Sequence, residues 1–476
     1  MVDLKQPIRL RSDSQFAGQR VHFVGIGGSG MNGLARMLLD CGASVTGSDK
    51  NPNRQTMELV GRGVKISRTQ HGELLDKGVN LVVRTAAVPD THIEIHAAAA
   101  LGIRTIKYAQ LLGEVMRERL GVAVAGTHGK STTTAMTALA LLKSGCEPSF
   151  VVGGTVPQLG GTGSRSGSGE AFVAEACEYD RSFHNLAPRV AVITNIEEDH
   201  LDCYKDIYQI IESFRHFCSL VPPGGTIIAN GRDANVAKTV MNIDVPVQTV
   251  SLGDATTWST FPRGLVDGCY QGQVCLNGKP VAVLRLKVPG LHNLMNATMA
   301  LAAARACGAD LVSAAAAISA FTGVDRRMTF MGHVNADTNN ATIVDDYGHH
   351  PTEVRTTLKA LREKYSPRRL ICIFQPHQHS RTRHLLEDFA HSFDDADEVV
   401  MPDIYFVRDS EEERHAVCTD DLVKKIVARG HCAQHISNFS DIVKYVRTVA
   451  GKGDLVVTMG AGNVNDIGIE LAERGA

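Results

Sequence analysis

Neither sign of charge is in excess in this chain: 49 Lys and Arg stand against 51 Asp and Glu in 476 residues. That balance excludes a broad basic field of the kind that binds nucleic acid without regard to sequence, though a local basic pocket stays open. Paired cysteines are absent too. The eleven cysteines are odd in number and scattered, with no C-x-x-C, and the nearest two, Cys269 and Cys275, offer no metal spacing. Reduced thiols in a cytoplasmic protein are the expectation. No apolar run approaches the ~18 residues of a membrane span, and "IHAAAALGI" falls far short of it. The opening "MVDLKQPIRLRSDSQ" is polar and lacks the apolar segment of a signal peptide. Internal repeats and long disordered tracts are also missing. What remains is ordinary for a soluble globular protein, 43% hydrophobic and 21% charged. At roughly 100–200 residues per domain, the length predicts two to four domains.

To about residue 108, short apolar strands alternate with helical patterns. "VHFVGI" is a strand, "GMNGLARMLLDCG" a helix stopping at Gly42, and "SVTGSD", "NLVVRTAAV" and "RTIKYA" are further strands. This βαβ rhythm predicts a parallel sheet with crossover helices. The pattern restarts at "GVAVAGTHGKSTTTAMTALALLKSG", with "SFVVGGT", "AFVAEAC", "VAVITNI" and "GTIIANG" as buried strands. Within it, "GGTGSRSGSG" (160–169) reads as a mobile Gly/Ser surface loop. Near residue 325 a third block begins, with strands "ATIVDDYG", "RLICIFQP", "DEVVMPDI" and "GDLVVTMGAG". The expected fold class is α/β in three domains, 1–108, 109–326 and 327–476, each built on a mostly parallel sheet.

Two glycine-rich turns carry most of the chemistry. The first, "VHFVGIGGSGMNGLARML", holds Gly25-x-Gly27-x-x-Gly30 between a strand and a helix. Alone it suggests a dinucleotide, with Asp49 where a ribose-binding acid belongs. The second, "GTHGKST" (126–132), follows a strand and opens a helix. Its glycines let several N–H groups and the helix N-terminus face phosphate. Lys130 is suited to β/γ-phosphates and Ser131 to Mg2+. Val124 stands where the standard P-loop has its first glycine, so this is a shortened variant. Glu175 in "VAEACEYD" and His200 in "VITNIEEDHLD" end apolar strands at the edge where open α/β sheets bind ligands. Both suit divalent-metal sites beside the phosphates, although a helix-start cluster explains His200 equally well. Glu197 and Glu198 are expected to form such a cluster, exposed to solvent. Asn293 and Asn296, three apart, share one face of a helix start and offer amide edges to adenine, or cap that helix. The His and Arg of "FQPHQHSRTRHL" (374–385) fit an anion or carboxylate pocket better than a metal.

Taken in order, "GTHGKST", "AEACEYD", "NIEEDHLD", "GLHNLMNA", "DRRM" and "DDYGHHP" resemble the Mur ligase family across nearly the whole chain. "GIGGSGM" and "DDYGHHPTEV" are similar to its alanine-adding branch. The resemblance implies an N-terminal Rossmann-like UDP-binding domain, a P-loop ATPase-like central domain and a Rossmann-like C-terminal amino-acid domain. It implies that ATP phosphorylates the lactyl carboxylate of UDP-N-acetylmuramate and that the amine of L-alanine attacks the acyl phosphate, in a monomer or homodimer acting in peptidoglycan precursor synthesis. Lys130, Glu175, His200 and Arg327 become the catalytic group, with Mg2+ on Ser131, Glu175 and His200. ATP is expected on Gly126, Thr127, His128, Gly129, Lys130, Ser131 and Thr132, with His292, Asn293 and Asn296 near adenine, Arg327 near the phosphates and Asp346 near the ribose. The UDP-sugar takes Gly25, Gly27, Gly28, Ser29 and Gly30 for its diphosphate and Asp49 and His71 for ribose and uracil. His349, His377 and Arg381 line the amino-acid site, the arginine holding its carboxylate.

Two departures accompany the resemblance. Several family members carry a carbamylated lysine after the "EDH" histidine, whereas "IIESFRHF" has Arg215 and His216 there and no lysine. Gln378 and His379 stand where arginine and tyrosine are usual, which loosens the amino-acid assignment. Two other activities compete with the main reading. One is the ligase that recycles murein tripeptide, which usually has phenylalanine and alanine at Tyr347 and Gly348. The other is an NAD(P)-dependent oxidoreductase using the first glycine turn.

Overall fold

The computed structural model describes residues 14–85, 87–334 and 341–473. They fold around three sheets. The first has strands β1 (Arg20–Val24), β2 (Ser44–Ser48), β3 (Lys65–Ser67), β4 (Leu81–Arg84) and β5 (Arg104–Lys107), all parallel, in the order β3-β2-β1-β4-β5. The chain leaves β1 toward β2 on one side and reaches β4 on the other. This change of direction opens a crevice at the carboxyl end of β1, where Gly25–Gly28 lie.

The second sheet has ten strands: β6 (Leu120–Ala125), β7 (Ser149–Val156), β8 (Thr162–Arg165), β9 (Ala171–Glu175), β10 (Val190–Ile193), β11 (Thr226–Asn230), β12 (Val247–Leu252), β13 (Trp258–Val266), β14 (Cys269–Leu276) and β15 (Lys279–Arg285). Its order is β15-β14-β13-β12-β11-β10-β6-β9-β7-β8. β6 and β10 are covered on both faces, which is why "LGVAVA" and "VAVI" are apolar without alternation. The helix Lys130–Lys143 is buried nearly all round, packed between this sheet and the helices Leu291–Ala306 and Leu311–Ser319. Its small Ala and Thr side chains permit that close approach. The third sheet has β16 (Thr329–His333), β17 (Thr342–Asp346), β18 (Leu370–Phe374), β19 (Glu398–Met401), β20 (Ala433–His435) and β21 (Leu455–Met459) in the order β16-β17-β21-β18-β19-β20.

Two features differ from the expectation. Four of the ten residues of the Gly/Ser stretch form β8, paired antiparallel to β7, rather than a mobile loop. Ser164 presses on the first domain's helix Ser29–Asp40, where a Cβ on Gly33 would lie 2.7 Å from it. Packing thus orders a sequence whose composition reads as flexible. The β13–β15 ribbon is antiparallel and extends the second sheet. The eleven cysteines are all free, as expected. Among the described residues no helix is long and apolar enough to cross a membrane.

The three sheets are not joined alike. One continuous apolar core runs from Phe23 and Leu34 of the first unit through Leu111, Leu112 and Met116 to Phe172, Phe183 and Phe214 of the second. The third sheet keeps its own apolar clusters on its two faces, built on Phe374 and Phe389 and on Ile371 and Ile442. It meets the second unit mainly through polar groups, described below. An apolar joint is expected to hold its partners together; a polar one permits them to part.

The apolar joint is tight at Gly113 of the helix Tyr108–Arg117, where a Cβ would lie 1.9 Å from the Asn185 carbonyl oxygen. Gly113→Ala is expected to destabilise the protein by about 1–3 kcal/mol, measured by urea unfolding.

Candidate active site

The first glycine turn is braced from within. Gly27 N–H donates to Asp49 Oδ2 at 2.7 Å, Asn51 N–H donates to Asp49 Oδ1 at 2.9 Å, and Asn53 Nδ2 donates to the Gly27 carbonyl at 2.9 Å. A Cβ on Gly27 would meet that carboxylate at 2.7 Å. Asp49, assigned from sequence to a ribose, is therefore first the residue that shapes the loop. His71 is exposed at the same rim, and the side chain of Ser29 lies outside the described residues. Across the crevice Lys107 Nζ reaches Asp180 at 2.8 Å, joining the first unit to the turn Tyr179–Asn185 of the second.

The second glycine turn hangs from β10. Thr127 N–H donates to the Asn195 carbonyl at 3.0 Å, His128 N–H to Asn195 Oδ1 at 2.8 Å, and Gly126 and Gly129 have φ of 139° and 80°. Side chains at either glycine would collide with Thr194 or Asn296, at 1.9 and 2.7 Å. Lys130 Nζ donates to the Gly126 and Thr127 carbonyls at 2.6 and 3.1 Å and to both Glu178 oxygens at 3.0 Å. Burial penalises this ammonium, but the Glu178 carboxylate offsets it and raises the Lys130 pKa above its ordinary value. Lys130 therefore waits in the turn fully charged.

Between the second and third sheets lies a cavity of about 160 Å³. It is lined by nine of the residues assigned to ATP: His128, Gly129, Ser131, Thr132, His292, Asn293, Asn296, Arg327 and Asp346. Asn296 sets its amide oxygen against Gly129, and its Nδ2 donates to Asn293 Oδ1 at 3.1 Å. Asn293 in turn donates to the Pro289 carbonyl at 2.8 Å, so the pair buttresses the phosphate turn. Asp346 is 3% exposed and accepts from Gly348 and Met328 N–H at 2.7 and 2.8 Å. Burial raises its pKa to about 6, against the pull of Arg327. His292 is kept neutral by burial, at about 4.

Glu197, expected in solvent, belongs to this site. Its Oε2 accepts from Thr352 Oγ1 at 2.6 Å and lies 3.4 Å from His128 Nε2 and 3.6 Å from His350 Nδ1. On the other side of the His128 ring, Nδ1 is 3.3 Å from Glu353. Burial works against a charge there, but the two carboxylates win and raise the His128 pKa to about 9. The same contacts lower Glu197 to about 2 despite its burial. Among the described residues, His128, Glu197 and His350 form the one group whose potential metal-binding atoms lie within 4.8 Å of each other. Hydrogen bonds already occupy it: His350 Nε2 donates to the Glu198 carbonyl at 3.1 Å, and both His128 nitrogens face carboxylates. The trio is a charge-paired junction between the two sheets.

Mg2+ is a different matter. Ser131 opens its helix beside the cavity, and Glu175 ends β9 with Oε1 accepting from Gly153 N–H. His200 has a φ of 54° and a buried Nδ1 without a hydrogen-bond partner. A hydroxyl and a carboxylate are hard oxygen donors, and the orphaned imidazole nitrogen is the polar atom such a site would use. These donor types are ones a divalent cation accepts. His200 also faces Glu178, at 3.8 Å, and Tyr179, at 5.2 Å between rings.

On the third sheet's side, His349 and His377 face each other at 5.8 Å, and His377 stacks on Tyr405 at 5.4 Å. Burial lowers both imidazoles, to about 4 and about 3, so both are neutral near pH 7. Arg381 is engaged within the chain. It is 6% exposed, its Nε and Nη2 donate to Asp199 Oδ1 at 2.9 and 2.8 Å, and its Nη1 donates to the His377 carbonyl at 3.3 Å. The guanidinium assigned to an amino acid's carboxylate holds a carboxylate of the chain itself. Sequence spacing shows that an arginine seeks an anion but does not say which one.

Family models match this chain in three consecutive stretches: Mur ligase family, catalytic domain, over 20–120; Mur ligase middle domain over 124–304; and Mur ligase, glutamate ligase domain, over 326–462. The chain belongs to the Mur ligase family. The UDP-N-acetylmuramate–L-alanine ligase of Caldanaerobacter subterraneus subsp. tengcongensis is 41% identical over 96% of this chain and 98% of its own. That of Acetivibrio thermocellus is 40% identical over 94% and 95%. Among solved structures, the UDP-N-acetylmuramate-alanine ligase of Thermotoga maritima superposes with a TM-score of 0.78 at 26% identity, covering 96% of this chain and 98% of the other. A murein peptide ligase from Psychrobacter arcticus gives 0.69 at 29%, covering 95% and 98%.

In this Mur ligase, sequence reasoning missed Glu178, Asp199 and Glu353. The first two sit in motifs already singled out, "AEACEYD" and "EEDHLD", one position or more from the residue chosen; their burial beside Lys130 and Arg381 was the missing information. Because Arg381 and Asp199 are both buried, Asp199→Asn is expected to lower stability by about 3 kcal/mol or more, read as the thermal unfolding midpoint against wild type.

Proposed function

We propose that this protein joins L-alanine to the lactyl carboxylate of UDP-N-acetylmuramate, driven by ATP, as a cytoplasmic step of peptidoglycan precursor synthesis. The observation that carries this reading is one cavity at the seam of the second and third sheets. The phosphate turn, Asn296, Arg327 and Asp346 meet there, in a chain that matches the alanine ligases named above end to end. The crevice at Gly25–Gly28 takes the diphosphate of the UDP-sugar, and the P-loop takes ATP.

A carboxylate is a poor acyl donor, and phosphorylation gives it a good leaving group. Transfer then needs charge neutralisation and in-line placement. Lys130 supplies a fixed positive charge beside the phosphates, and Arg327 supplies a second one from the connection into the third sheet. Mg2+ on Ser131, Glu175 and His200 supplies further charge neutralisation when bound. The amine reaches the acyl phosphate from the third unit, in the space beside His349 and His377. Their neutral rings do not repel an incoming ammonium, and Arg381, tied to Asp199, fixes the wall of that space.

Phosphate release should require UDP-N-acetylmuramate, ATP and L-alanine together; release with L-alanyl-D-glutamyl-diaminopimelate in place of L-alanine, and not with L-alanine, would overturn the assignment in favour of tripeptide recycling. Lys130→Ala is expected to lower ligation by about 100-fold or more while UDP-N-acetylmuramate still binds by calorimetry, because its crevice lies on the first sheet. Retained turnover would remove Lys130 from the phosphate site.

A further inference from the structure

Glu353 lies within the stretch "DDYGHHPTEV" without a role assigned to it, yet it touches several parts of the seam. It occupies the third position of the helix Pro351–Tyr365, whose N-cap is His350. A carboxylate is favoured there by the exposed N–H groups of the first turn. This one is 12% exposed. Its Oε2 accepts from His349 N–H at 2.9 Å, and its Oε1 lies 3.3 Å from His128 Nδ1 and 3.5 Å from Arg327 Nη1. Those partners come from three places: the P-loop of the second sheet, the connection that crosses to the third, and the turn before the helix itself. Beyond His128 stands Glu197. Negative and positive groups therefore alternate across the seam in the order Glu197, His128, Glu353, Arg327.

We propose that Glu353 is a positioning residue for the ligation, setting the P-loop and Arg327 in register with the third domain so that the phosphoryl group and the amine meet. The inference rests on the ATP-dependent ligase reading above. Its physical ground is the character of the seam. Among the described residues the second and third sheets share no apolar core cluster, so directional polar contacts set their relative placement. Among the described residues, Glu353 is the acid that holds the P-loop, Arg327 and the third unit together. Glu353→Gln keeps the shape and removes the charge. It leaves Arg327 without its Glu353 contact and His128 with Glu197 alone, so both are free to shift by the ångström that costs catalysis most.

The junction also predicts a pH signature. The groups facing His128 are the carboxylates Glu197 and Glu353, the His350 ring at 4.6 Å, and His292 and Arg327 farther off. The raised imidazole pKa means that the cation's contribution is complete below the ordinary histidine range and is lost as pH rises through about 9. Without the Glu353 charge that loss begins at lower pH.

The test compares wild type, Glu353→Gln and Glu353→Asp in steady-state assays with each substrate varied. For Glu353→Gln we expect kcat to fall about 100-fold, the KM for UDP-N-acetylmuramate to stay within about twofold, and the alkaline limb of kcat to move down by about one pH unit. Glu353→Asp, which keeps the charge and loses reach, should recover part of kcat and most of the limb. Adding His128→Gln to Glu353→Gln should cost little beyond the worse single variant, because the two act as one unit. A kcat within about twofold of wild type overturns the proposal. So does an equal rise in all three KM values with an unmoved pH limb, or fully additive losses in the double variant. NMR titration of His128 in Glu353→Gln gives a readout independent of turnover, and an unshifted ring also overturns it. Wild type that fails to use L-alanine counts against the function reading alone, and the variants are then compared by that titration.

Discussion

Arg381 and Asp199 lie in different structural units, and each is buried against the other. Neither charge is tolerable in that position without its partner, so the third sheet docks on the second only where the two meet. Around this contact a series of polar groups crosses the seam: His350 to the Glu198 carbonyl, Thr352 to Glu197, Lys364 to the Asp267 carbonyl, and Tyr270 to Glu363. The cavity of the seam lies between the walls that these contacts bring together. Had the joint been apolar, like the one between the first and second units, it would be permanent, and substrates destined for opposite walls would have no way in.

The same seam collects backbone strain. His200, Arg326, Met328, Gln378 and Arg408 all have positive φ, between 48° and 76°. Side chains adopt that region at a cost of about 1–3 kcal/mol each. Their neighbours supply the compensation. Arg326 donates to the Gly460 carbonyl and to Asp345, and with Arg327 it lies over the Tyr347 ring at 5.0 and 5.2 Å. The guanidinium of Arg408 covers Tyr179 at 4.5 Å across the seam. Strained turns aim side chains into the cleft at angles that regular strands and helices do not offer.

The three α/β blocks were legible because buried parallel strands must be continuously apolar and crossover helices must follow them, so "LGVAVA", "VAVI" and "LVVTM" could not be mistaken. The phosphate turn was legible for a local reason: a glycine pair, a lysine and a hydroxyl placed between a strand and a helix have one common use. The β13–β15 ribbon and β8 were not legible. Antiparallel edge pairing depends on what lies alongside, and "GGTGSRSGSG" carries no apolar pattern to announce a strand.

Sequence alone determined the family, the α/β fold class and the glycine turns that open two of its helices, because each of these is written in short windows whose chemistry is local. Only the tertiary structure decided which charges neutralise which. Asn296 stands against Gly129, Arg381 is held by Asp199, Glu197, half-buried, pairs with His128, and Glu353 joins the P-loop to the third unit. Coulomb energy depends on distance and on burial, and residues 182 positions apart, such as Asp199 and Arg381, acquire both only when the chain has folded.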